Sequence, residues 1–489
     1  MDPRTAAPKL RQPSTTATAT VKNKKKKTAA EALGHDVLCI IFSFLDLVQL
    51  IRCSAVSTSW SKAVNKLKLH QTEYFKQQHS GPNGLIDASY CQRSLSEQAE
   101  QLAMEQHRLA LQRGPANVIQ WKGHSVGVNQ CRMKMGKVLT GVGDKVMRLW
   151  SAESCKCLDE YFLVDKAPLI DFDFDEGKVV GLVGTRICIW NRTEARNVFS
   201  SRENLFTKAL CMRYVDPEAV IGCEDGKVRV FDLYSRKCTQ IIKMHQGPVS
   251  CLAFTDDQLL VSGSSLGTLS LSDLSSDQRV VQLGSTYSAD CIAGGERSAV
   301  VALRLEVHFS QQCLGHTLWC YLNYGNLSKL TMLHLIGVKT LCFNPNSYMV
   351  FAGSTAGNVS CWDLRNTTRT VWETRVSPNV IYSMHHLRND TSTLVVGGID
   401  GVLRTVDQVT GEVISRCIMD DSTTVLHRST ERFGSVQIES RKVKRLSEDD
   451  RIDLMTRTSK PQITCLAVGM EKVVTTHNDK YIRIWKFSK

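Results

Sequence analysis

At 489 residues, the chain exceeds the usual size of a single domain, so it consists of one large ring-like domain with appendages or of two to three ordinary domains. Its hydrophobic fraction of 42% and charged fraction of 22% exclude a wholly disordered, collagen-like or membrane-embedded chain. The net charge of +13 does not indicate a basic nucleic-acid-binding fold, because residues 1–30 contain eight Lys or Arg against one acid and carry more than half of that charge.

Residues 1–30 are rich in Thr, Ala, Pro and Lys and have almost no side chains that could be buried. Such a segment does not recover its conformational entropy by packing, so we expect a disordered basic tail. The run NKKKK at 23–27 is typical either of a nuclear-import signal or of an ordinary solvated tail. No apolar segment typical of a secretory signal occurs in it, so we expect a reducing compartment, nuclear or cytoplasmic. The longest apolar run, 37–45, is far shorter than the roughly 18 residues of a membrane-spanning helix, so no membrane association is expected.

The eighteen cysteines form no recognisable metal or redox motif. No CxxC pair exists, and the two closest cysteines, Cys155 and Cys157, occupy alternate positions of a predicted strand. Several others also lie in predicted strands, where a thiol is most simply a small buried apolar side chain. We therefore predict no metal site, no cofactor and no catalytic cysteine.

From residue 31 to residue 76, apolar residues recur at spacings of three and four, which predicts amphipathic helices. The segment DVLCIIFSFLDLVQLIRCSAVSTSWSKAV at 36–64 resembles the F-box, whose pattern it follows in DVL, IFSFLD, LIR and the spaced Trp60. Two positions depart from that pattern, because Gly34 replaces the usual proline and Ser57 replaces a frequent cysteine. The resemblance predicts an all-α F-box over 31–76.

Apolar residues at helical spacing continue over residues 92–113, and Gly114-Pro115 ends the pattern. We predict a helical linker over 77–115. A helix in this position serves either as a spacer between the F-box and the next domain or as a surface helix packed on that domain.

From residue 116 onward, short strands alternate with turns rich in Gly, Asp and Asn, and a template repeats. VLTGVGDKVMRLWS (138–151) is its first copy and KVVTTHNDKYIRIWKF (472–487) its last. One position of the template recurs at Trp150, Trp190, Phe231, Ser272, Trp362, Val406 and Trp485. Copies of about 40 to 45 residues resemble the WD-repeat family, whose four-stranded blades form a β-propeller. We therefore expect a mainly β fold, a WD-repeat β-propeller over 116–489.

The gaps between copies identify two irregular regions. The gap of 90 residues between Ser272 and Trp362 leaves room for a degenerate copy near 284–330, which predicts eight blades, or seven if that region is an insertion. The gap of 79 residues before the last copy predicts an exposed inserted loop over 425–460. Because the last copy ends near the C-terminus without a fourth strand, we expect residues 116–121 to supply that strand and close the ring.

The first copy contains the residues that match the WD-repeat structural tetrad, which are His124, Thr140, Asp144 and Trp150. The resemblance implies that a buried hydrogen-bond chain through them ties a turn to the third strand of the blade. An aspartate recurs six positions before the template position at Asp144, Asp225, Asp400 and Asp479, and an arginine recurs two positions before it at Arg148, Arg229, Arg404 and Arg483. A buried carboxylate is costly unless it is paired, so we interpret the aspartates as structural. The arginines are either structural as well or part of a phosphate-binding pocket.

An F-box followed by WD repeats resembles the substrate receptors of cullin-RING ubiquitin ligases. The resemblance implies that the F-box binds a Skp-type adaptor, and through it a cullin-RING ligase, while the propeller binds a protein substrate of unknown identity. The residues that it assigns to the adaptor-binding face, or to the small core behind it, are Leu33, Val37, Leu38, Ile41, Phe42, Leu45, Leu50 and Trp60. Such a subunit of an SCF (Skp-cullin-F-box) ligase is not itself an enzyme and acts by proximity.

The alternative is a WD-repeat scaffold of a nuclear or RNA-associated complex without a ubiquitin role, in which nucleic acid is contacted only through the basic tail. Salt-sensitive nucleic-acid binding would favour the scaffold, and adaptor binding would favour the receptor. No GxSxG, HExxH, Walker-type or GxGxxG motif is apparent, so the sequence predicts no catalytic residue.

Overall fold

The structure, a computed structural model, describes residues 35–45, 47–66, 95–141, 145–163, 167–192, 196–200, 208–255, 257–275, 280–285, 318–319, 332–333, 337–420, 425–431, 434–447, 450 and 459–488. The basic tail and most of the connection between the predicted F-box and the predicted linker helix lie outside these residues. The chain divides into two compact units, residues 1–103 and residues 104–489. Within the described ranges, no helix combines the length and the apolar character needed to cross a membrane.

The helices of the described residues are α1 (His35–Phe42), α2 (Leu47–Ser54), α3 (Thr58–Lys66) and α4 (Leu95–Arg113). Ser57 begins α3 as its N-cap, because its Oγ accepts a hydrogen bond from the backbone N–H of Trp60 at 3.2 Å. The serine that departs from the usual F-box pattern therefore has a structural role at this helix start. Gly34, the other departure, lies outside the described residues.

The first unit has a small core between α1, α2 and α3. Phe42 is central to it, and its ring meets the Trp60 ring edge-on with centroids 5.3 Å apart. The buried members of this core are Leu38, Phe42, Leu50, Ala63 and Val64. Residues 38 and 42 are one helical turn apart, so a single face of α1 supplies both.

The second unit is mostly β-strand. In chain order its strands are β1 (Ala116–Lys122), β2 (Gln130–Lys134), β3 (Lys137–Gly141), β4 (Val146–Ser151), β5 (Cys157–Phe162), β6 (Leu169–Phe174), β7 (Lys178–Val183), β8 (Arg186–Asn191), β9 (Arg196–Ser200), β10 (Ala209–Val215), β11 (Glu218–Cys223), β12 (Lys227–Asp232), β13 (Lys237–Lys243), β14 (Val249–Phe254), β15 (Leu259–Ser264), β16 (Thr268–Asp273), β17 (Val280–Ser285), β18 (Leu318–Trp319), β19 (Met332–Leu333), β20 (Val338–Asn344), β21 (Met349–Ser354), β22 (Asn358–Asp363), β23 (Asn366–Arg375), β24 (Ile381–His385), β25 (Thr393–Gly398), β26 (Leu403–Asp407), β27 (Val413–Met419), β28 (Val425–Glu431), β29 (Gly434–Arg445), β30 (Ile463–Gly469), β31 (Lys472–His477) and β32 (Tyr481–Phe487).

Most of these strands form separate four-stranded antiparallel sheets, whereas β24–β27, β28, β29, β1 and β30–β32 belong to one ten-stranded sheet, whose two ends we name separately. We name β2–β5, β6–β9, β10–β13, β14–β17 and β20–β23 sheets 1 to 5, and β24–β27 sheet 6. Sheet 7 consists of β30, β31, β32 and, as its fourth strand, β1. The pairing of β1 with β32 runs from Ala116↔Phe487 to Lys122↔Tyr481, so the expected pairing of the segment 116–121 with the last strand is present.

Hydrophobic clusters lie between successive sheets, because a sheet with a neighbour on each face buries both sets of its alternating side chains. Sheet 4 packs directly on sheet 5, where Val261 and Leu269 share one buried cluster with Val338 and Trp362. The first strands of successive sheets also touch, from β2 and β6 onward to β24 and β30, and β30 in turn touches β2. Of the degenerate copy expected near 284–330, the described part is the end of β17, together with β18, which pairs with β19.

The structure corrects the expectation of an exposed loop over 425–460. Its first part is the hairpin β28–β29, and β29 pairs with β27 through Cys417↔Arg445 and with β1 on its other edge, so it joins sheets 6 and 7. Ile438 and Val443 lie on opposite faces of this strand and pack against two different cores. With one apolar side chain packed on each face and charged residues around them, β29 lacks the regular apolar–polar alternation of a strand. The sequence pattern therefore predicted a loop.

The end of α4 is packed on the second unit, which is the second of the two roles expected for this helix. Ala110 and Leu111 are buried in the core that the helix shares with sheets 6 and 7. Arg445 of β29 donates hydrogen bonds to the carbonyls of Ala110, Leu111 and Gly114 at 3.2, 3.0 and 2.8 Å. A cation beside the last carbonyls of a helix interacts favourably with the negative end of its dipole, so Arg445 stabilises the C-terminal end of α4.

Candidate functional site

Helix α1 carries large apolar side chains in solvent as well as in the core. Val37, Ile40 and Ile41 are 45%, 62% and 43% exposed, and Phe44, in the turn after the helix, is 83% exposed. Their spacing of three, four and seven residues places them on one side of α1, away from Leu38 and Phe42. We call Val37, Ile40, Ile41 and Phe44 the α1 face. Large apolar side chains that are exposed together are typical of a protein-binding surface.

The residues that the resemblance assigned to the adaptor-binding region divide into distinct groups. On the α1 face are Val37 and Ile41; in the core are Leu38, Phe42 and Leu50; partly buried against the core are Leu45 and Trp60; outside the described residues is Leu33. The assignment missed Ile40 and Phe44, the two most exposed members of the face. Their positions three and seven residues after Val37 were the available signal.

In sheet 1, three of the four expected tetrad residues are joined by hydrogen bonds. Arg148 Nη1 lies 3.0 Å from His124 Nδ1, and because arginine only donates, the other ring nitrogen of His124 carries the proton. His124 Nε2 donates to Thr140 Oγ1 at 2.8 Å, and Trp150 Nε1 donates to the same oxygen at 2.9 Å. Asp144 lies outside the described residues. Both ring nitrogens of His124 are engaged, so this arrangement ties the strands of the sheet together.

Sheet 7 contains a related set that fixed sequence offsets did not identify. Trp485 Nε1 donates to Thr475 Oγ1 at 2.9 Å, and His477 Nε2 lies 2.8 Å from the same oxygen. This histidine follows the threonine by two residues on β31, whereas His124 precedes Thr140 by sixteen. Burial and the nearby charge of Arg483 lower the pKa of His477 to about 3, so the ring stays neutral.

Sheet 4 has the histidine without the aromatic partner. His245 lies 2.8 Å from Ser262 Oγ through Nε2 and 2.8 Å from Thr268 Oγ1 through Nδ1. Burial, assisted by the charge of Lys243, lowers the pKa of His245 to about 4. Ser272 occupies the template position, so the histidine connects the strands of this sheet through two hydroxyls instead of one hydroxyl and an indole.

Three of the four recurring arginines pair with the recurring aspartate of their own sheet. The pairs, with the distance from Arg Nη2 to Asp Oδ2, are Asp225–Arg229 (2.9 Å), Asp400–Arg404 (2.6 Å) and Asp479–Arg483 (2.7 Å). Burial acts to raise the pKa of Asp479, but the hydrogen bond and charge of Arg483 outweigh it and lower the pKa. Arginines held in this way stabilise the turn before the third strand, which favours the structural interpretation over a phosphate pocket.

Comparison with known proteins gives the family. Residues 31–72 match the F-box domain, and residues 236–273 and 330–363 match the WD domain, G-beta repeat. An F-box/WD-40 repeat-containing protein of Arabidopsis thaliana is 45% identical over 486 residues, which cover 95% of this chain and 96% of that protein. The chain belongs to the F-box/WD-40 repeat family. At the level of the family, this architecture implies a substrate receptor of the SCF type, and F-box/WD-40 proteins are typically non-catalytic adaptors.

Two more distant similarities accompany this F-box/WD-40 assignment. The ribosome biogenesis protein YTM1 of Kluyveromyces lactis is 23% identical over 288 residues, covering 54% of this chain and 61% of that protein. The crystal structure of the computationally designed Ika8 protein matches with a TM-score of 0.47 and 16% identity, covering 75% of this chain and 98% of that chain. Within the chain itself, the F-box match contains α1–α3 and hence the α1 face, and the first WD match contains the His245 set of sheet 4.

Proposed function

We propose that this F-box/WD-40 protein is the substrate-recognition subunit of an SCF ubiquitin ligase. The α1 face binds the Skp-type adaptor, which links the chain to the cullin-RING ligase, and the β-sheet unit binds the protein to be ubiquitinated. The observation that supports this proposal is the exposure of four large apolar side chains on a helix whose other side packs into the small core of α1–α3. Covering such side chains stabilises a complex by about 25 cal/mol for each Å² of apolar surface removed from water.

Adaptor binding by the full chain tests the proposal. The double change Ile40→Ala and Phe44→Ala shortens two exposed side chains without touching the core. Each change should cost about 2 kcal/mol of binding free energy, so affinity for a purified Skp-type adaptor should fall by roughly 1,000-fold in calorimetric titration. Lys62→Ala, which changes an exposed residue of α3, is the matched control. Equal affinity of the double variant and the unchanged chain would contradict the proposal.

A double change of the neighbouring residues Ile41 and Phe42 would be a poorer test of adaptor binding. Replacing Ile41 and Phe42 together combines a residue of the α1 face with a residue that is 1% exposed. Loss of binding by that variant would therefore reflect unfolding of the module as well as loss of contacts. Ile41→Ala alone removes the contact and leaves the core in place.

The proposed role of the β-sheet unit is to hold the substrate near the ligase rather than to break a bond. It raises the effective concentration of substrate lysines at the conjugating enzyme. Proximity labelling, followed by comparison of protein levels with and without this chain, should identify a protein that is both labelled and more abundant when the chain is missing. Labelled proteins whose levels never change would count against a degradative receptor.

We further propose that sheets 1 to 7 are the blades of one closed, seven-bladed propeller, the second of the two counts expected from the sequence. The direct packing of sheet 4 on sheet 5 supports seven over eight, because these sheets flank the region in which an eighth copy was expected. Contact between β30 and β2 supports closure. Electron-microscopy class averages viewed along the ring axis should have seven sectors, and eight sectors would contradict this count.

A second function is favoured by the similarity to the ribosome biogenesis protein YTM1, together with the basic tail. In this alternative the chain is a WD-repeat scaffold of a nuclear or RNA-associated complex and has no ubiquitin role. RNA binding that weakens steeply with salt and disappears on deletion of residues 1–30 would support it. Tight adaptor binding that depends on the α1 face would count against it.

For localisation, we propose a nuclear or cytoplasmic protein whose nuclear fraction depends on the lysine run at 24–27. Changing these four lysines to alanine in a fluorescent fusion should shift the signal from nucleus to cytoplasm. An unchanged distribution would mean that the run is an ordinary solvated tail.

A further inference from the structure

Two cysteines that are 334 residues apart in the chain meet where sheet 1 packs on sheet 7. Cys131 lies on β2 and Cys465 on β30, and both belong to the buried cluster between these sheets. The thiol of Cys465 donates a hydrogen bond to the backbone carbonyl oxygen of Cys131 at 3.5 Å. Both are free thiols. The strands that carry them, β2 and β30, are in direct contact.

Polar groups surround the sulfur of Cys465. Arg132 Nη1 is 3.9 Å from it, and Ser383 Oγ is 3.8 Å from it. Arg132 is held in place by an ion pair with Asp171 at 2.8 Å. A fixed guanidinium beside a sulfur favours its negatively charged form, so this environment differs from that of an ordinary buried thiol.

The two thiols are not equivalent. The hydrogen bond from Cys131 lowers the pKa of Cys465, and the charge of Arg132 lowers it further against the effect of burial. The same hydrogen bond and burial raise the pKa of Cys131. Cys465 is also the more accessible of the two, at 7% exposure against 1%. Cys465 is therefore the thiol that ionises more readily, while Cys131 keeps its proton.

We propose that Cys131 and Cys465 form a peroxide-sensitive pair that is oxidised to a disulfide joining sheet 1 to sheet 7. Hydrogen peroxide is the oxidant. The thiolate of Cys465 attacks one peroxide oxygen, an S–O bond forms, the O–O bond breaks, and the departing hydroxide takes up the proton that Cys465 released and becomes water. The sulfur of Cys131 then attacks the sulfenic sulfur, the S–S bond forms, the S–O bond breaks, and a second water leaves with the proton of Cys131. Two electrons pass from the two sulfurs to peroxide.

The disulfide would join the first and last sheets of the unit across their packed faces. A cross-link between residues so far apart restricts the unfolded chain strongly, so the oxidised protein should be harder to unfold than the reduced one. The inference depends on the contact between β2 and β30 and not on the proposed role in ubiquitination. Adaptor binding and oxidation can therefore fail or succeed separately.

A neighbouring cysteine pair provides the matched control. Cys211 on β10 and Cys251 on β14 are also buried and lie on the first strands of adjacent sheets. Burial raises the pKa of Cys211 and raises that of Cys251 to about 11, so both thiols stay protonated. Cys251→Ser should leave the oxidation of Cys131 and Cys465 unchanged.

The experiment uses the full, reduced chain treated with a small excess of hydrogen peroxide, alkylated and digested without reductant. Mass spectrometry should detect a peptide linked through Cys131 and Cys465, and the Tm should rise by roughly 5 °C or more. Cys131→Ser and Cys465→Ser should each remove both effects, whereas Cys251→Ser should retain them. Both cysteines remaining fully alkylatable after peroxide treatment and denaturation would overturn the proposal, and so would oxidation of Cys465 to a sulfinic acid without any linked peptide. These measurements on the unchanged chain do not require the serine variants to fold.

Discussion

The two units of the chain differ in how far their large apolar side chains are buried. In the part of the F-box that the structure describes, the helices α1–α3 enclose five buried residues and leave the α1 face exposed. The sheets bury their largest side chains almost completely, among them Trp121, Trp190, Trp362 and Trp485. This difference indicates that the helical module needs a partner to cover its surface, whereas the sheet unit is stabilised by contacts among its own sheets.

Deleting residues 472–489 should have the largest effect. The deletion removes β31 and β32, so β1 loses its partner in sheet 7 and β30 loses its own. Trp121 and Cys131 lose the core that sheet 7 provides. Because every sheet relies on both of its neighbours, we expect loss of the cooperative thermal transition of the whole unit, measured by circular dichroism. Deletion of residues 1–30 is the control. An unchanged melting curve after the C-terminal deletion would contradict the expectation that each sheet depends on its neighbours for stability.

Asp400→Ala should destabilise the sheet unit by about 3 to 5 kcal/mol, because it leaves the buried charge of Arg404 without its partner. Urea unfolding measures this loss. The matched change Asp225→Ala affects the same template position in sheet 3, where the aspartate is 29% exposed and water can replace it. We expect a loss of about 1 kcal/mol there. Equal losses at the two positions would mean that burial does not decide the strength of these pairs.

Acidification should destabilise the sheet unit through its buried histidines. Burial lowers the pKa of His245 to about 4, below its ordinary value of 6.5, so the folded state binds fewer protons than the unfolded state between these values. The stabilisation is fully present above pH 6.5 and is lost as the pH falls from 6.5 to 4. At pH 5 this histidine should cost about 2 kcal/mol relative to pH 8.

The variant His245→Gln isolates this contribution, since its free energy of unfolding should fall less between pH 8 and pH 5 than that of the unchanged chain. Ser262→Ala removes a hydrogen-bond partner but keeps the titrating ring, so it should lower stability at both pH values and retain the pH dependence. Identical pH dependence in His245→Gln and the unchanged chain would show that the ring does not titrate in this range.

Parts of this fold could be predicted because they follow from local rules. The pairing of β1 with β32 follows from a last template copy that has only three strands, since an exposed strand edge needs a partner. For α1, the sequence predicts that two apolar faces exist but not which of them is buried. Helical spacing identifies both apolar faces, but it does not say which of them packs on α2 and α3.

Other features could not be predicted because they depend on register between distant strands. The register of the pairing between β30 and β31 shifts between Ile463 and Cys465, whereas β2 pairs with β3 without a shift. The shift lies directly before Cys465, the residue that contacts Cys131. His477 contacts the hydroxyl oxygen of Thr475 from two residues further along the same strand, a position at which the repeat template has no histidine. A hydrogen bond requires proximity in space, which sequence spacing reports only within one element.

The smallest effect on stability should come from Phe44→Ser, and it tests the other half of the comparison. This side chain is 83% exposed, so its replacement should change the free energy of unfolding by about 0.5 kcal/mol or less. Phe42→Ala, two residues earlier, removes a ring that is 1% exposed and packs on Trp60, and it should cost about 3 to 5 kcal/mol. If the α1 face is a binding surface, Phe44→Ser should weaken adaptor binding while the module stays folded. A stability loss as large as that of Phe42→Ala would mean instead that Phe44 belongs to the core. That result would contradict the proposal that the α1 face is a binding surface.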